Sequence, residues 1–317
     1  MQMSEAFWGY VLAVAALLLF TTAIVATKVA SSRIELGLGF LIATSTNVAF
    51  SALAWAVQLA LQPHSLGWNW QAFWLFGLAG AFSTYLGRWF FYESVVRFGP
   101  AKASIFQVSS PLFTALMAWL FLGERLTLLV ATGMLLTVAG LMAVSYKPGA
   151  LSFKAPAGAA TATGARPTLH QRLLQSFLLL GLGSSLAYAI GSLLRGSAVR
   201  AWNEPVLGAL VGAVCGLALH LAFSSGKRQM LGRLKTISRS GAWLYALVGV
   251  VTISAQICVI ASMRYLPLAV ATLVTLCTPL LVFPISHRYF KSQDDITAAT
   301  LAGSAVALLG ILIIVLR

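Results

Sequence analysis

The stretch QVSSPLFTAL, Gln107 to Leu116, puts a proline inside a run from Ala103 to Gly123 that carries no Lys, Arg, Asp or Glu. Pro111 removes a backbone donor and crowds the preceding turn, so an ordinary buried helix avoids it. The chain repeats the device in TLCTPLLVFP, Thr275 to Pro284, where Pro279 interrupts a second charge-free run. Two broken helices in matching surroundings point to a duplicated architecture.

Composition sets the solvent. Of 317 residues, 59% are hydrophobic and only 9% are charged, too few to cover a soluble domain of this length. Apolar runs of the length that spans a bilayer recur along the whole chain, and in lipid only helices or closed barrels satisfy their backbone groups. Continuous runs without strict alternation favour helices. Charges and turn formers divide the sequence into ten expected spans: 6–28, 36–60, 72–95, 101–122, 126–145, 174–198, 206–224, 242–262, 268–289 and 296–316. The first reads as a span and not a secretory leader, because no Lys or Arg precedes it and its core is long. Between the fifth and sixth, YKPGALSFKAPAGAATATGARPTLHQR is too poor in large apolar residues to fold and reads as a linker, 146–173, joining halves 1–145 and 174–317.

The net charge of +14 is located in short loops. With an even number of spans both termini share one side. The opposite side collects most of the basic residues, from Lys28 and Arg33 through the 147–172 and 227–239 segments to Arg288 and Lys291. The terminus side holds Arg125, Arg195, Arg200, Arg264 and Arg317. The positive-inside rule therefore predicts a multi-pass protein of the cell (inner) membrane, with a cytoplasmic linker and both termini outside. Lipid headgroups account for the basic loops, and nucleic acid is not an expected partner.

Laying Ser94 on Ser262 also lays Ala103 on Ala271 and Ser110-Pro111 on Thr278-Pro279; after a two-residue slip, Thr127, Gly133 and Gly140 fall on Thr297, Gly303 and Gly310. Each half has an odd number of spans, so the second must be upside down relative to the first. Inverted halves with interrupted helices at corresponding positions are the sequence pointer to a secondary transporter with a central cavity. Pro111 and Pro279 are then helix-bending residues whose freed carbonyls face that cavity; simple kinks made for packing are the alternative.

SIFQVSSPLFTALMAWLFLGERLT, Ser104 to Thr127, resembles the fourth-helix signature of the EamA family in the drug/metabolite transporter superfamily. The resemblance implies ten helices in two inverted five-helix halves and transport of amino acids, other metabolites or drugs, often outward. Two departures stand out. RYFKSQDDIT, Arg288 to Thr297, replaces the second Leu-Gly-Glu, and no basic residue lies between the second and third spans, so the orientation derived above is opposite to the family's.

Candidate substrate contacts follow from polar residues inside spans. Tyr85, Arg88, Trp89 and Tyr92 fall on one face of the third helix. An arginine inside a span costs at least ~2.5 kcal/mol and usually faces protein or a wet cavity. Arg88 either binds a carboxylate there or snorkels to the headgroups. On the sixth helix Ser185, Tyr188, Ser192 and Arg195 form a stripe, and Asn47, Gln107, Ser110, Gln256 and Thr278 complete the candidates. Glu93 is the coupling candidate, with an ion pair to Arg97 as its alternative; proton coupling, uniport and exchange all stay open.

Four scattered histidines, no in-span acid pair and no metal-ligand spacing argue against an enzyme, a metal or a cofactor. Cys215, Cys258 and Cys277 read as small buried hydrophobes. The expected protein is an all-α membrane protein of ten transmembrane helices arranged as two inverted repeats. Helices one, three and four face six, eight and nine across the cavity, and helices five and ten support the outside of each half. As a monomer or homodimer it exports a small metabolite, an amino acid or related carboxylate, by alternating access. Proton-coupled efflux of drugs or cations, and a non-transporting sensor or assembly factor, are the alternatives.

Overall fold

A chain whose surface faces hydrocarbon must close its backbone hydrogen bonds within each segment. In the computed structural model, which describes residues 2–61, 67–91, 110–124, 127–145, 177–223, 232, 238–278, 280–281, 285 and 298–315, every regular element is a helix. They are α1 (Gln2–Ser31), α2 (Leu36–Leu61), α3 (Trp70–Ala79), α4 (Ser110–Leu122), α5 (Leu128–Ser145), α6 (Phe177–Ala201), α7 (Pro205–Phe223), α8 (Arg239–Tyr265), α9 (Leu268–Leu276) and α10 (Ala298–Val315). Stretches of α1, α2, α7 and α8 are long and apolar enough to cross a membrane. The linker, 146–173, lies outside the described residues.

Local chemistry sets the helix ends. Asn69 caps α3 by accepting the Ala72 N–H at 3.0 Å, and Ser238 caps α8 by accepting the Gly241 N–H at 3.0 Å. α4 stops at Gly123, whose φ of +65 is the left-handed turn that suits glycine. That turn sends the Glu124 N–H back to the Ala118 carbonyl at 3.2 Å.

Pairing of the helices follows a pattern. α1 packs along α8 and α3 along α6; α2 meets α7, α4 meets α9, and α5 meets α10. Exchanging α1–α5 with α6–α10 turns the α1–α8 pair into the α3–α6 pair and returns each of the other three to itself. Glycines mark the close approaches. A Cβ on Gly80 would strike the backbone of Gly212, and one on Gly249 would strike the backbone of Ala43. Those two contacts, α3 on α7 and α8 on α2, are counterparts under the same exchange. In the α5–α10 pair, Gly140 lies against Gly303 and Ala307, while Gly310 lies against Gly133 and Thr137.

Three features differ from the sequence expectation. α5 and α10 do not flank separate halves; they pack on each other, because small residues at both crossings let the backbones touch. α3 continues past Ala79 as a π-helical stretch, Gly80–Gly87, which 3.6-residue periodicity does not foresee. α9 is interrupted at Cys277, two residues before Pro279, while Thr278, Leu280, Leu281 and Ile285 beyond it are helical again, so the expected span is broken and not continuous. The hydroxyls of Thr272, Thr275 and Thr278 all donate to carbonyls of their own helix just there, a pattern that bends helices. Pro111 is a buried residue of α4; residues 101–109, which precede it in the expected span, and Pro279, the other expected bending point, lie outside the described residues.

Among the described residues the apolar side chains form two clusters. The larger gathers Ala13 and Ala16 of α1 with Trp202, Leu207, Met263, Leu266 and Leu268. A smaller cluster of Ala30, Ile34, Leu38, Tyr245 and Val248 holds α1, α2 and α8 together.

Candidate functional site

Between these clusters lies a cavity of about 320 Å³, at the lower end of the size range of small-molecule sites. Its wall is built by helical spacing. Phe20, Ala23, Ile24 and Thr27 come from one face of α1, and Tyr245, Val248, Thr252 and Gln256 from one face of α8. α9 adds Thr272, Thr275 and Thr278, and α6 adds Tyr188, Ser192 and Arg195. α2 also contributes, through Phe40, Ala43 and Asn47, which enlarges the set of walling helices beyond the six expected.

The π-helical stretch decides which residues of α3 reach the cavity. Its wider turn changes the register, so Ser83, Thr84, Arg88 and Phe91 line the wall. The expected stripe is divided. Arg88 faces the cavity, Tyr85 instead stacks on Phe223 with ring centroids 5.9 Å apart, and Trp89 is 42% exposed on the outer surface. Gly87 and Gly191 let α6 come close: Ser184 donates to the Gly87 carbonyl at 3.0 Å, and the Tyr188 ring passes within 3.2 Å of where a Gly87 Cβ would stand.

Two guanidinium groups share this wall. Arg195 is only 6% exposed, deep in the helix interior, and its Nη2 donates to the Thr84 hydroxyl at 3.3 Å. It therefore leaves the loop charges of the terminus side, and the charge asymmetry grows. Arg88 lies with its Cζ 5.3 Å from the centre of the Phe40 ring, a cation–π contact, and the same ring meets His220 edge-on at 4.6 Å. Asn47 secures the wall: with its amide turned so that the nitrogen faces the Gly249 carbonyl at 2.7 Å, the orientation in which both of its polar ends are matched, it joins α2 to α8. No carboxylate of a described residue lines the cavity. Glu204, a buried acid near the start of α7, is bonded by Gln58 away from it.

Of the sequence candidates, Arg88, Ser110, Tyr188, Ser192, Gln256 and Thr278 lie together on the cavity wall. Tyr85 and Trp89 do not. Tyr92, Glu93 and Gln107 lie outside the described residues. Sequence reasoning overlooked Thr84, hidden by the π-helical register, and Thr272 and Thr275 of α9, although VATLVTLCT, Val270 to Thr278, shows them at three-residue intervals with the expected Thr278. Among the described residues no group of three or more His, Cys, Asp or Glu is placed to hold a metal ion.

The helices thus enclose a largely apolar cavity whose wall carries two guanidinium groups and a set of hydroxyls. In sequence, residues 7–146 match the model of the EamA-like transporter family. No curated protein matches the chain. One protein of known crystal structure aligns over 100% of this chain and 98% of its own, with a TM-score of 0.67 at 17% identity, a likeness of fold alone.

Proposed function

We propose that the protein is a secondary transporter of small organic anions, carboxylates first, which bind in the central cavity and cross by alternating access. The observation that carries this reading is the in-span Arg88 on the cavity wall beside Phe40 and Tyr188. A guanidinium there supplies two parallel donors to a carboxylate, and the rings supply apolar contact for the rest of the solute.

The exchange symmetry of the helix pairs supports two inverted halves, 1–145 and 174–317, as the moving bodies. Export is the direction that the family resemblance suggests. An arginine-bearing wall is unsuited to organic cations, which separates this reading from drug or cation efflux.

Counterflow in proteoliposomes, with amino acids, carboxylates and cationic drugs as internal solutes, tests it. Carboxylates should drive accumulation of labelled carboxylate, and Arg88→Ala should reduce it by about tenfold or more, as expected for loss of a charge-assisted pair. Cation counterflow with no carboxylate response sinks the reading.

A further inference from the structure

The cavity holds more positive charge than one carboxylate needs. Arg88 and Arg195 reach it from α3 and α6, helices that pack against each other. A narrow recess of about 10 Å³ lies between them, room for about one water, and its wall includes Asn47, Thr84, Thr252 and Gln256. Two guanidinium groups in largely apolar surroundings need counter-ions, since a guanidinium keeps its proton throughout the physiological range. Yet no described carboxylate lines either the cavity or the recess. Arg195 is held by Thr84, a neutral partner.

From this we infer that the cavity is built for a solute carrying two negative charges, a dicarboxylate or a phosphomonoester, with one charged oxygen group seated at the recess between Arg88 and Arg195. The inference rests on the cavity being the substrate site and narrows its cargo. One negative charge leaves a guanidinium uncompensated when the cavity is shut off from water; two complete the pairing. An amino-acid zwitterion fits poorly, since its ammonium group would stand among like charges without a described acid to meet it. Phe20, Phe40 and Phe91 limit the remaining volume to a short carbon skeleton.

Two measurements on the purified full-length protein test this: thermal stabilisation in detergent and counterflow in proteoliposomes. Both use succinate, glycerol phosphate, butyrate, alanine and tetraethylammonium as probes. The expected result is that a dianion stabilises the protein and exchanges at concentrations about tenfold or more below those of butyrate or alanine, the advantage of a second charge-assisted contact. The preference should shrink to about threefold or less in Arg195→Gln, since the added donors are lost. If that variant does not fold, Arg88→Gln and the wild-type ranking decide. Succinate ahead of glycerol phosphate puts the charges at two ends of the solute; the reverse puts them on one group. Butyrate or alanine equal to the dianions overturns the inference and leaves the transporter reading standing. Stabilisation by dianions without uptake of any probe keeps the site and sinks transport. A wild-type protein indifferent to both dianions overturns the inference outright.

Discussion

Glu124 and Leu268 are joined across the bundle: the carboxylate after α4 accepts the first backbone N–H of α9 at 2.9 Å. α9 follows Pro267, which has no side-chain cap to offer, so an acid from a distant segment does the capping. The same oxygen binds the Arg200 guanidinium at the end of α6. Three helices meet at one carboxylate. Glu124→Ala should cost about 1–2 kcal/mol, mostly the cap. Arg200→Ala should cost less, since that side chain is 33% exposed and solvent screens its pair. Thermal unfolding in detergent ranks the two. Equal losses would show that the Leu268 contact contributes nothing.

Gly80 and Gly212 give a second ranking. A Cβ on Gly80 points into the Gly212 backbone, which cannot rotate away, whereas the nearest atom to a Cβ on Gly212 is the Phe76 carbonyl at 3.5 Å, an ordinary contact. Gly80→Ala should force α3 from α7 and cost about 1–3 kcal/mol or prevent folding. Gly212→Ala should be tolerated, as should Gly37→Ala, where nothing lies within 4 Å. Yield and unfolding temperature of the three variants check the order; a stable Gly80→Ala protein refutes the close approach.

Much of this was legible in the residues, and the limits have physical causes. Charge-free runs disclose helices in lipid because hydrocarbon tolerates no other open segment. Arg88 was visible because a charge inside a span is costly enough to need a reason. What periodicity missed was the π-helical turn. It begins and ends in glycine, and nothing in GAFSTYLG distinguishes its spacing from that of a regular helix. Its effect is to bring Thr84 to Arg195 and to leave Tyr85 and Trp89 off the wall. The α5–α10 partnership was hidden for a different reason: Gly133, Gly140, Gly303 and Gly310 announce tight packing but do not name the partner.

The divided face of α3 makes a prediction of its own. Trp89 is exposed at the outer surface and meets Phe90 with ring centroids 5.4 Å apart, so its surroundings are those of an aromatic side chain facing lipid. Trp89→Ala should change counterflow by less than about twofold, within the usual effect of a surface substitution. Phe91→Ala removes a ring from the cavity wall and should raise the half-saturating concentration instead. A Trp89 variant with the stronger transport defect would restore the regular-helix register and remove the π-helical turn from the account.

Thr84 offers the sharpest test of how the buried arginine is held. Its hydroxyl accepts from Arg195, and its methyl lies against Gly216, where a Cβ would collide with it. Thr84→Val keeps the methyl and removes the acceptor; Thr84→Ser does the reverse. If orientation of Arg195 is what matters, Thr84→Val is the worse variant. It should forfeit about 1 kcal/mol, a net hydrogen bond, and raise the half-saturating concentration of the transported anion about fivefold. Thr84→Ser should then show the smaller shift in that concentration and a loss confined to unfolding temperature, because the missing methyl leaves a small void beside Gly216. The opposite order would mean that Thr84 serves to pack α3 on α7, and that Arg195 takes its position from the helix alone.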